Sequence, residues 1–119
     1  MGMRRNIKLI YEPGQSDELR PIYFYAHWGG ETMPKKLQNA LIRGKERWND
    51  ESYLARIIFS ELINEEKMDL QGYGIAPYEM DENYPTIVVN LPDNTVDEIP
   101  FTEFIEMDVE HYNEKNEED

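Results

Sequence analysis

The spacing of apolar residues changes period twice along this chain, and that change limits the fold more than any other feature. In "NIKLIYE", Ile7, Leu9 and Tyr11 alternate with other residues, the period-two signature of a half-buried strand. After turn chemistry in "PGQSDE" (13–18), "RPIYFYAHW" (20–28) reads as a second, aromatic-rich strand. The two predict an antiparallel hairpin. Past Gly29 and Gly30 the period becomes helical. Leu37, Leu41, Gly44 and Trp48 recur at spacings of 4, 3 and 4, as one helix face requires. They predict a helix over 33–48 with Thr32 as its N-cap and Pro34 in its first turn. Gly44 in mid-helix costs about 1 kcal/mol relative to alanine, so close approach of a neighbouring element is expected there. A second helix is predicted over 51–66, capped by Asn49 or Asp50, with Leu54, Ile57, Ile58 and Leu62 facing inward.

Beyond residue 67 the period returns to that of strands. A short strand is expected at 72–76, a central one at "TIVVNL" (86–91), and a short return strand at "VDEI" (96–99). "PFTEFIEM" (100–107) predicts a closing helix, with Phe101, Phe104 and Ile105 packing back. The order ββααβββα implies an α+β fold: one mostly antiparallel sheet with two main helices on one face. A chain of 119 residues fits one domain, here 1–107, with 108–119 as an acidic, disordered tail.

Composition excludes several chemistries. The chain has no cysteine, which removes disulfides, thiolate metal sites and a cysteine nucleophile. No run approaches the roughly 18 apolar residues of a membrane span, and the N-terminus lacks a signal-peptide apolar block. A cytoplasmic location is expected. The two histidines, His27 and His111, are too few for a histidine metal centre, and no metal or cofactor is expected. Among the serines, Ser16 lies in a turn and Ser52 at a helix start, and no nucleophilic triad is recognisable. An enzyme is the less favoured class, although paired carboxylates cannot be singled out among 25 acids.

Charge is the most informative feature for function. The formal net charge is −13, which disfavours direct contact with nucleic-acid phosphates or an anionic membrane. The balance is uneven. Residues 20–48 hold six bases against two acids, whereas 49–119 hold three bases against 20 acids. At 100° per residue, Lys36, Arg43 and Arg47 fall within about 40° of one another, forming a cation ridge beside the apolar stripe. That ridge reads either as a solvated helix face or as a rim that receives an anion. Just before it, glycines admit close backbone approach and a helix N-terminus favours negative charge, while His27 and Trp28 offer rings. Each of these also has a plain structural reading, as a strand-to-helix turn or as core packing. The spacing matches no phosphate-loop pattern. The candidate ligand-binding residues are therefore His27, Trp28, Gly29, Gly30, Lys36, Arg43, Arg47 and Arg56. "GYGIAPYEMDENYP" (72–85) adds tyrosines that read as a structured loop, an aromatic wall of a pocket, or a partner-binding edge.

The core "YAHWGG…LQNALIRGKERWNDESYLARIIFSELI…GYGI" resembles small proteins of unassigned function encoded by bacteriophages and prophages. The resemblance rests on the aromatic-His-Trp-Gly start, the RG-x-x-RW segment, "YLARIIF" and the later Gly-Tyr-Gly-Ile. It covers roughly residues 23–76, with a weaker echo in "YPTIVVN" and "FTEFIEM". It implies a host-cell location and, by association only, action against host defence or host enzymes. Three functions follow as expectations. The first is a non-enzymatic protein that sequesters a small anionic, nucleotide-like ligand, as a homo-oligomer because pockets often form between subunits of small folds. The second is an acidic inhibitor that mimics nucleic acid toward a host protein. The third is a structural or assembly accessory.

Overall fold

Strand β1 (Arg5–Ile10) pairs antiparallel with β2 (Ile22–Ala26), Ile7 opposite Phe24, so the predicted hairpin strands meet in register. Alternation then does its work: Ile7, Leu9, Phe24 and Ala26 share the buried face. This is a computed structural model, and it describes residues 3–11, 21–64 and 72–109. The turn expected at 13–18 lies outside them.

Two helices cover that face. α1 (Met33–Arg43) buries Met33, Leu37, Ala40 and Leu41, and α2 (Glu51–Leu62) buries Leu54, Ile58 and Leu62. Ile57 is only half-buried. After the helices come β3 (Tyr73–Ala76), β4 (Ile87–Asn90), β5 (Thr95–Val96) and β6 (Ile99–Pro100), then the single-turn helix α3 (Phe101–Phe104). Among the described residues six strands form one mixed sheet in the order β3-β2-β1-β4-β5-β6. Only β1 and β4 run parallel, which puts the apolar run of β4 in the middle of the sheet, as its composition predicts. The fold is α+β with two main helices.

Three boundaries differ from expectation. α1 stops at Arg43, where the Gly44 N–H makes its last helical bond, to the Ala40 carbonyl at 2.8 Å, and Lys45–Arg47 tighten into a 3₁₀ turn. Gly44 therefore ends the helix rather than sitting inside it. The expected close approach is present, because a Cβ there would lie 3.1 Å from Cδ1 of Ile57. "VDEI" is two short strands and not one: Asp97 and Glu98 both have positive φ, 50° and 73°, the signature of a two-residue hairpin turn between β5 and β6. The domain also runs past residue 107, since Val109 is 5% exposed and belongs to the core. Residues 110–119, where a disordered tail is expected, and 65–66, the expected end of α2, lie outside the described residues.

Specific polar contacts hold this frame. Buried Gln38 donates to the carbonyls of Phe104 and Met107 at 2.9 and 2.8 Å, tying α3 to α1. Trp48 Nε1 donates to the Leu41 carbonyl at 2.9 Å, and its ring meets that of Phe101 edge-on, centroids 5.2 Å apart. On the other face of the sheet, the segment after β3 crosses β1. Asn6 donates to the Met80 carbonyl and to Glu82, both at 2.9 Å.

Candidate functional site

The end of β2 runs into the start of α1 at His27–Thr32, and each residue of this junction has a definite structural part. The His27 N–H donates to the Gly72 carbonyl at 2.7 Å, prolonging the β2–β3 ladder by one pair. Gly29 then turns the chain with φ of 81°, a left-handed conformation that suits a residue without Cβ. The Gly30 N–H donates to the Met3 carbonyl at 2.7 Å. A Cβ on Gly30 would overlap that carbonyl and lie 2.8 Å from the Cβ of Arg5. So Gly30 is required by close packing against the start of β1 and Gly29 by its left-handed turn, and Gly30's N–H is already taken. Thr32 precedes α1 but does not cap it: its hydroxyl donates to the Gly29 carbonyl at 2.8 Å, closing a 3₁₀ turn at Gly30–Thr32.

Behind the junction stands Arg5, 1% exposed. Its Nε donates to the Pro85 carbonyl at 2.9 Å, its Nη1 to the Gly30 carbonyl at 3.4 Å, and its guanidinium lies 5.4 Å from the centre of the Tyr84 ring. His27 and Trp28 are exposed, centroids 5.4 Å apart and edge-on, and the Tyr25 hydroxyl lies 3.5 Å from Nδ1 of His27. Tyr73 brings in the first cation of the ridge. Its hydroxyl accepts from Lys36 Nζ at 2.9 Å, and a Cβ on Gly29 would lie 2.9 Å from the same oxygen. Lys36 also donates to the Leu62 carbonyl at 3.2 Å, at the C-terminus of α2, where a cation is favoured by the helix dipole.

The structure thus joins Gly29 and Lys36 through Tyr73, and His27, Trp28 and Gly30 adjoin Gly29 along the chain. Arg43, Arg47 and Arg56 are elsewhere. Arg43 lies along the seam between α1 and α2. It pairs with Glu61 at 3.1 Å and donates to Ser60 Oγ and the Ile57 carbonyl. Arg47 pairs with Asp50 at 3.4 Å and stands over the Tyr53 ring. With Ile42, Gly44, Lys45, Glu46 and Ile57 the two arginines line an open cleft of about 360 Å³. Arg56 is exposed on α2, six residues before Leu62. Much of the predicted ridge therefore joins the two helices. Ala40, which periodicity places beside it, is fully buried.

Sequence reasoning missed Arg5 and Tyr25 as neighbours of the junction. Tyr73 was signalled by its place in the tyrosine-rich stretch after α2. Arg5 had no signal at all, because nothing local distinguishes it from Arg4. A separate polar group covers the sheet's other face, where Glu79 and Glu82 both reach the Thr86 hydroxyl. Burial raises the Tyr23 phenol above its usual pKa, and the charges of Glu79 and Glu82 add to that shift. Among the described residues, no three His, Asp or Glu side chains come together as a metal site, and no helix is long and apolar enough to cross a membrane. Comparison of the chain with protein-family models, curated proteins and solved structures gives no match.

Proposed function

We propose that this protein binds, without turnover, a small anionic ligand carrying a flat ring, of the nucleotide class, at the junction of β2 and α1. The observation that carries this reading is the meeting of Lys36, Tyr73 and Gly29, with the exposed rings of His27 and Trp28 next to Gly29 in the chain. A lysine ammonium has three donors. Among the described residues two go to Leu62 and Tyr73, which gives a phosphate oxygen the third. Trp28 gives a base a surface to stack on, which is worth about 1–3 kcal/mol per base. Capture alone would suit a phage protein that silences a nucleotide-triggered host defence.

Calorimetry against mono-, di- and cyclic nucleotides and ADP-ribose tests the reading. Binding is expected for at least one, lost in Lys36→Gln and in Trp28→Ala and kept in Arg56→Gln. Absence of heat across the panel at high micromolar concentration sinks it. The acid excess of residues 49–119 supports a second reading, an acidic inhibitor of a basic host protein. Such an inhibitor would retain its partner in Lys36→Gln and release it as salt rises.

A further inference from the structure

β3 closes one side of the sheet. Among the described residues β2 is its only neighbour. The bond from His27 N–H to the Gly72 carbonyl fixes the alternation of the ladder. Tyr25–Gly74 and Tyr23–Ala76 are then the hydrogen-bonded pairs, and Tyr73 and Ile75 turn their N–H and C=O groups to the outer edge. Natural sheets blunt such edges with charge, lysine above all. This edge has none: no charged residue occurs between Asp69 and Glu79. Instead Ile75 is 60% exposed on the strand itself, and Tyr78 60% exposed just beyond it.

We infer that two copies of this chain join here, β3 antiparallel to β3, with Gly74 on a twofold axis. Tyr73 of each copy then faces Ile75 of the other as a bonded pair, for about four main-chain hydrogen bonds, and Gly74 faces its own copy in the close pair, Cα atoms about 4.5 Å apart. Gly74 suits that place, since the position of its missing Cβ opens onto empty space. Charge selects a second copy as the occupant. At −13, two copies repel across most contacts they could make, and the uncharged edge brings no like charges together. A basic partner would find nothing to pair with there. The contact is self-complementary, as a closed dimer requires. Ile75 shares the helix-covered face with its neighbour Phe24, so the second copy's Tyr73 would cover it there. In return the second copy's Ile75 would stand beside the Tyr73 that holds Lys36. The dimer does not depend on the ligand proposed above.

The absence of cysteine makes the test direct, because one introduced thiol reports one contact. Gly74→Cys would place two sulfurs across the axis at a Cα separation that admits a disulfide, roughly 4.4–6.8 Å. Under mild oxidation it is expected to form a covalent dimer. Ile42→Cys, at an exposed site on α1, is the control and should stay single. By sedimentation equilibrium the unaltered chain should have twice its 14.2 kDa mass, and Ile75→Lys should fall to the single-chain mass with its circular dichroism unchanged. The inference is overturned if the unaltered chain sediments as a monomer up to millimolar concentration, or if Gly74→Cys cross-links no faster than Ile42→Cys. Should Ile75→Lys fail to fold, the cross-linking comparison still decides.

Discussion

Gly30 shows what a single residue contributes to the junction. Its amide hydrogen bonds Met3, and its Cα lies so near β1 that a methyl group would overlap the Met3 carbonyl. Backbone cannot swing aside as a side chain can, so Gly30→Ala should destabilise by about 1–3 kcal/mol, the usual cost of overpacking. Gly29→Ala meets the end of a movable Tyr73 side chain and should cost about 1–2 kcal/mol, through its left-handed φ. Urea unfolding of both variants measures this. A Gly30→Ala protein as stable as the parent would mean that β1 and α1 are not held as described. The glycine pair is legible in the sequence as a turn. Its reason is not, because Met3 and Arg5 lie far upstream and only the antiparallel pairing of β1 with β2 brings them under it.

Elements were legible where one period persisted. β1, β2, α2 and β4 each bury one side of an unbroken pattern, and the predicted pairing of β1 with β2 follows from it. α1 was legible in its stripe but not in its length. Leu37, Leu41, Gly44 and Trp48 keep helical spacing, yet beyond Gly44 the chain tightens into a 3₁₀ turn, with Trp48 still facing the core against Phe101. Periodicity alone does not separate those two paths. The β5–β6 hairpin was hidden for a different reason. Its turn residues, Asp97 and Glu98, are not the Asn-Gly or Asp-Gly that announce such a turn, and Glu98 sits at φ of 73° with a full side chain. The Asp97 N–H compensates by bonding the Val88 carbonyl at 2.7 Å, and its carboxylate accepts from the Val88 N–H at 2.9 Å. Glu98→Gly should therefore stabilise the protein by about 1 kcal/mol, by relieving the left-handed strain. Asp97→Ala should destabilise it, because it removes the Val88 bond. Opposite signs in thermal unfolding are the expected result, and a destabilised Glu98→Gly would refute the turn as drawn.

At the scale of the whole molecule the governing quantity is charge. Among the described residues, the bases of 20–48 do not form one continuous patch. Arg43 and Arg47 answer Glu61 and Asp50 along the helix seam, leaving Lys36 at the junction. These ion pairs are largely exposed, and exposed pairs are worth about 0–1 kcal/mol each. Against them stands the mutual repulsion of a chain at −13, which acts over the whole surface and opposes the compact state. The repulsion should dominate, and salt separates the two terms. Added sodium chloride weakens both, but at about 0.15 M the screening length is about 8 Å, shorter than the 36 × 30 × 29 Å extents over which the like charges spread and longer than the Arg43–Glu61 contact. Stability in urea, at fixed protein concentration because association also shifts it, should accordingly rise from low salt to physiological salt. The same screening should tighten the β3 dimer, since its edge is uncharged while the rest of each copy repels. A fall in stability over that range would mean that the few ion pairs along the α1–α2 seam outweigh the net charge of the molecule.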